Sequence, residues 1–181
     1  MQAGTAAPPP WLQAALDPAL AVLWLDTAAL PASRDQRVHG SFQNACEAQA
    51  CAEVGAALLA GGVPPADLGI TSPYSQQVRH VQGYVPDACV MTVDKFQGQD
   101  KGVMIVSLVR SNDTAATGAL LTDFRRVNVA LTRARTKLVI VGDSGTVCRV
   151  PTLRAVHEGV RELGRVIDLA DAGFDFSEDV Q

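Results

Sequence analysis

Apolar runs and helical patterns alternate along the chain from about residue 20 to residue 169. Residues 20–25 (LAVLWL) form a continuous apolar run of strand length, and residues 31–40 that follow are a polar loop. Between residues 46 and 60, Ala48, Cys51, Ala52, Gly55, Leu58 and Leu59 recur at helical spacing, and Gly61-Gly62 ends the pattern. Residues 68–72 predict a short strand and residues 75–82 a helix. Residues 89–93 and 103–109 are largely apolar and rich in Val and Ile, as expected of strands covered on both faces. Residues 123–136 predict a helix, 138–141 a buried strand, 153–163 a last helix and 166–169 an edge strand.

Strands alternating with helices predict an α/β domain with an open, mostly parallel sheet flanked by helices. In such sheets ligands collect at the carboxyl ends of the strands, so the residues just after each strand carry the search for a site. The Ala/Pro-rich start predicts a disordered lead over residues 1–18, a domain over 19–170 and a frayed acidic tail over 171–181.

A net charge of −4 excludes a global attraction to nucleic acid, so any phosphate contact must be local. Arg125, Arg126, Arg133, Arg135 and Lys137 place five of the fifteen basic residues within thirteen positions. The four cysteines lack paired CxxC spacing and the three histidines are scattered, so no metal site is expected. No apolar stretch reaches the length of a membrane span, and no membrane partner is expected. No secretory leader or Arg-rich transit peptide is visible either, which predicts an intracellular protein.

Three segments carry candidate chemistry. Residues 72–77 (SPYSQQ) follow a strand and set an aromatic ring, Tyr74, beside amide side chains; alone, they fit an ordinary Pro-containing helix start better than a base-stacking site. Residues 92–102 (TVDKFQGQDKG) pack hydroxyl, amide, glycine and carboxylate groups between two strands, where Gly98 lets backbone approach a phosphate and Thr92 can contact a nucleic-acid backbone. In residues 125–135 (RRVNVALTRAR), helical spacing puts Arg126 and Arg133 along one border of an apolar face. Guanidinium groups aimed in this way suit a transferring phosphoryl group.

In this order and spacing the three segments resemble motifs IV, V and VI of superfamily 1B helicases, over roughly residues 21–169. Residues 109–112 (VRSN) and 122–126 (TDFRR) fit as well. Within the superfamily the resemblance is to the subgroup of the nonsense-decay RNA helicase and the replication helicase–nuclease, and Gln76-Gln77 and Lys95 favour the latter. The resemblance implies a RecA-like second motor lobe of the P-loop-NTPase type. It implies that Arg133 is an arginine finger, that Tyr74 stacks on adenine with Gln77 supporting it, and that Gly98 and Asp100 line the nucleotide. Ser72 and Thr92, with Arg110, would touch the nucleic acid. It further implies ATP with Mg2+ as cofactor, single-stranded DNA as partner with RNA the alternative, and a nuclear location with a cytoplasmic one the alternative. Gln99 departs from the Arg usual at its position.

An absence sharpens the reading. The chain contains no Gly-x-x-x-x-Gly-Lys-Ser/Thr loop to wrap phosphates and supply a magnesium-bound hydroxyl. The expectation is therefore half of an active site: a lobe inactive alone, belonging to a longer helicase with a first RecA-like lobe. A non-catalytic nucleic-acid-binding or regulatory module is the alternative. Residues 142–145 (GDSG) echo a serine-protease string, but that chemistry needs a His and an Asp placed around the Ser in another fold. A dinucleotide-binding domain is an equally weak reading, since the chain has no Gly-x-Gly-x-x-Gly.

Overall fold

The computed structural model describes residues 7–177. In chain order the elements are α1 (Pro10–Leu16), β1 (Val22–Asp26), β2 (Gln36–Val38), β3 (Ser41–Gln43), α2 (Ala45–Ala60), β4 (Leu68–Ser72), α3 (Ser75–Tyr84), β5 (Cys89–Thr92) and β6 (Lys101–Ser107). They continue with α4 (Gly118–Thr122), α5 (Phe124–Leu131), β7 (Ala134–Gly142), α6 (Ser144–Val147), α7 (Pro151–Glu162) and β8 (Val166–Asp168). Single 3-10 turns precede β4 and follow β5.

Six strands form one sheet in the order β5-β4-β6-β7-β1-β8, and every neighbouring pair is parallel. Strand residues alternate between two apolar layers, as the pleat requires. Leu23, Leu25, Ile105, Val139 and Val141 face α1, α2 and α3; Trp24, Met104, Val106, Leu138 and Ile140 face α5, α7 and the turn after β5. Burial on both faces is why these strands read as unbroken apolar runs. The small residues of α2 let it lie close to the sheet. At Gly55, for instance, a Cβ would stand 3.0 Å from Ile70 Cδ1.

The structure departs from the expectations in four places. The supposed lead contains α1, because Trp11 is buried with its ring 5.3 Å from that of Phe174. The same contact docks the tail as far as residue 177, where Gln49 also donates to the Asp175 carbonyl at 2.8 Å; residues 1–6 and 178–181 lie outside the described residues. The polar loop over residues 31–40 holds the first strand of a hairpin, β2–β3, turned by His39 and Gly40 at positive φ.

The fourth difference changes the site. The helix expected over residues 123–136 stops at Leu131, and β7 begins at Ala134. Ladder pairing with β6 takes over there: Ala134 is in register with Lys101, and Lys101 N donates to the Arg133 carbonyl at 3.0 Å. Arg133 therefore sits in the break between helix and strand, not on a helix border beside Arg126.

Candidate functional site at two edges of the sheet

The predicted residues do not converge on one rim. Ser72 and Thr92 end β4 and β5 and are in register with each other at the carboxyl edge. Asp100 and Arg133 immediately precede β6 and β7, at the amino edge. Between the Lys101 and Ser107 levels of β6 the sheet runs six residues, or roughly 20 Å at the usual rise of a strand.

The carboxyl edge is a closed network. Tyr74 caps the start of α3, and its backbone N–H donates to Ser72 Oγ at 3.3 Å. Its ring is 3% exposed and meets the Phe42 ring edge-on, and its hydroxyl donates to the Thr117 carbonyl at 3.3 Å. Burial raises the Tyr74 pKa, opposed by the neighbouring Arg110. The Arg110 guanidinium lies 4.0 Å from the centre of the Phe42 ring and donates through Nε to Asp35 at 2.9 Å. Burial works against its charge, but Asp35 outweighs this and raises its pKa. Asp35 Oδ2 also accepts from Ser111 N and Asn112 Nδ2. A cleft of about 200 Å³ opens here between the hairpin and residues 118–120, lined by Phe42, Tyr74 and Arg110.

Gln77 is fully buried and uses both ends of its amide. Oε1 accepts from Asn44 N, and Nε2 donates to the Asn44 carbonyl and to Ser107 Oγ. The amide is thus committed to holding α3 against the start of α2. Sequence reasoning passed over the two residues at its centre, Asn44 and Glu47. Asn44 caps α2 by accepting from Glu47 N at 3.2 Å, and the Asn-x-x-Glu spacing before a helical pattern was the available signal. The Glu47 carboxyl group does not return to its own helix, however. Its Oε2 accepts from Ser107 Oγ and from Val109 N, both at 2.7 Å.

The amino edge is sparser. Arg133 Nη1 pairs with Asp100 Oδ1 at 3.0 Å, with the two side chains 25% and 55% exposed. Arg133 Nε is buried and has no hydrogen-bond partner among the described residues. Gly98, two residues before Asp100, has φ +80 and nothing near the position of a Cβ. The loop carrying both is anchored by Phe96, which is wholly buried. Gly69 in β4 makes room for that ring: a Cβ there would stand 3.0 Å from Phe96 Cζ and 2.6 Å from Met104 Sδ.

The rest of the basic cluster is dispersed. Arg135 pairs with Asp67, Arg126 with Asp94 at 3.0 Å, and Lys137 is buried against the carbonyls of Asp17 and Leu20. Arg125, Arg126, Gln97 and Asp94 line a polar cleft of about 300 Å³ between α5 and the turn after β5. Among the described residues no group of three or more His, Cys, Asp or Glu gathers to hold a metal, and no helix is long and apolar enough to cross a membrane.

A six-stranded parallel sheet with helices on both faces and polar loops at both ends is the RecA-like architecture of the P-loop-NTPase type. A family profile described as an AAA domain matches residues 2–145, and the chain belongs to that family of superfamily 1 helicases. Similar curated proteins are helicase/nucleases. The mouse DNA replication ATP-dependent helicase/nuclease DNA2 is 36% identical over 88% of this chain and 15% of its own length. The Arabidopsis thaliana DNA replication ATP-dependent helicase/nuclease JHS1 is 39% identical over 88% of the chain and 12% of its own length. The Saccharomyces cerevisiae DNA2 protein is 36% identical over 80% and 10%. The chain thus spans about a sixth or less of the curated relatives it matches.

Proposed function

We propose that this helicase-type domain is the second motor lobe of an ATP-dependent DNA helicase of the replication helicase/nuclease type. Its amino edge completes an ATP site shared with a first RecA-like lobe, and its carboxyl edge carries part of a single-strand track. One observation carries the reading: the Arg133 guanidinium stands partly exposed at the amino edge, held there by Asp100 on the neighbouring loop. A partly exposed guanidinium held by a carboxylate suits a phosphate, to which its planar donors can turn.

Bound ATP with Mg2+ supplies the phosphoryl group whose charge must be neutralised during transfer. Arg133 offers its planar donors to that charge, Asp100 keeps the guanidinium in place, and Gly98 leaves backbone N–H groups accessible. The magnesium and the phosphate-binding loop belong to the first lobe. At the other edge Ser72, Thr92 and Arg110 contact the strand backbone. Tyr74 and Gln77 are read here as supports of that edge rather than as adenine contacts, because the ring and the amide are spent within the fold. The relatives are named for DNA replication, which supports a nuclear location.

Joined to a matching first lobe, the protein should hydrolyse ATP in response to single-stranded DNA, whereas the 181-residue chain alone should not. Turnover by the isolated chain would refute the shared site.

A further inference from the structure

Val109 has φ +71, a left-handed conformation that a β-branched residue adopts only when its surroundings impose it. Both of its peptide groups are gripped by the first turn of α2: Val109 N donates to Glu47 Oε2 at 2.7 Å, and Asn44 Nδ2 donates to the Val109 carbonyl at 3.2 Å. The next residue is Arg110. Its guanidinium lies over Phe42 and beside Asp35. Gly118 then makes space, since a Cβ there would stand 2.7 Å from Arg110 Nη1.

We propose that Asn44 and Glu47 are positioning residues that lock the left-handed Val109 turn and thereby aim Arg110 into the cleft beside Phe42 and Tyr74. Glu47 is suited to this because it is wholly buried yet devotes one oxygen to two donors from the end of β6. Its other oxygen, Oε1, has no partner among the described residues, so the carboxyl group is held there for what Oε2 accepts. That the aimed guanidinium serves a nucleic-acid strand rests on the function proposed above.

The test compares the wild-type chain with Glu47→Gln, Glu47→Leu and the double variant Glu47→Leu/Val109→Gly. Glycine reaches positive φ without strain, so it should make the turn independent of Glu47. Two quantities are read: the Arg110 Nε–H NMR resonance, identified by its loss in Arg110→Lys, and the affinity for a fluorescent single-stranded oligonucleotide at low salt. Glu47→Gln should keep the shifted, slowly exchanging Arg110 signal. Glu47→Leu should lose it and weaken oligonucleotide binding by about tenfold, the scale of one charge-assisted hydrogen bond. The double variant should recover both.

An unchanged Arg110 signal in folded Glu47→Leu would overturn the positioning role. So would a double variant that fails to recover the signal or fails to fold. An Arg110 signal that moves as expected while oligonucleotide affinity stays constant would uphold the positioning role and refute the strand reading of this edge.

Discussion

The two edges of the sheet handle polar residues in opposite ways. At the carboxyl edge, Asn44, Glu47, Gln77 and Ser107 are buried and bonded to one another, Asp35 holds Arg110 beside them, and the backbone after β6 turns at Val109. At the amino edge, one half-exposed ion pair and a bare glycine stand on a loop pinned by a single aromatic ring. A closed network fixes geometry and leaves few donors for a ligand. An open pair has little effect on stability but keeps its donors for a partner. On the proposed function, the closed edge holds Arg110 in one fixed place for a strand, and the open edge keeps Arg133 for the nucleotide.

The comparison can be broken most forcefully at Phe96. Phe96→Ala removes the anchor of the Gly98–Asp100 loop and should cost about 3–5 kcal/mol in urea unfolding, in the range for a buried Phe. The Arg133–Asp100 edge should loosen while the Arg110 signal persists. Gln77→Ala comes next. It strands buried groups at the start of α2 and should cost about 1–3 kcal/mol, with nucleotide affinity unchanged when the lobe is joined to its partner. A lost nucleotide affinity at full stability would restore the adenine-side role that the resemblance suggested.

The third effect is a pH dependence. Burial, helped by Asp143 and opposed by hydrogen bonds from Ser107 and Val109, pushes the Glu47 pKa from 4.5 up to about 8. Because the folded value exceeds the unfolded one, this group's stabilising contribution is fully present below about 4.5. It is lost as pH rises through about 8, with a slope of at most about 1.4 kcal/mol per pH unit. Urea midpoints should fall over that window, and Glu47→Gln should flatten the fall. A wild-type stability that rises between pH 5 and 8 by the same amount in both proteins would place the titration elsewhere.

Much of this was legible in the chain. Apolar runs located β1, β5, β6 and the core of β7, because those strands are covered on both faces. Periodicity located α2, α3 and α7. The break at Thr132–Arg133 was not legible, since Val127, Ala130, Leu131, Ala134 and Leu138 keep a helical spacing straight through it. Only pairing with β6, thirty-three residues away at Lys101, turns Ala134 into a strand residue. The hairpin was missed because three-residue strands give too few alternations to read. Ser72, Thr92, Asp100 and Arg133 were named from motif resemblance, but their division between two edges depends on topology. The burial of Gln77 and Glu47 depends on partners thirty to sixty residues distant.

The central claim is that the edges divide the work. The most direct measurement sets Arg133→Ala beside Arg110→Ala in the two-lobed protein and records both ATP turnover and single-strand affinity. Arg133→Ala should lower turnover about a thousandfold or more while sparing strand affinity, as loss of an arginine finger does. Arg110→Ala should weaken strand binding and leave turnover at saturating DNA close to wild type. Normal turnover in Arg133→Ala would contradict the account.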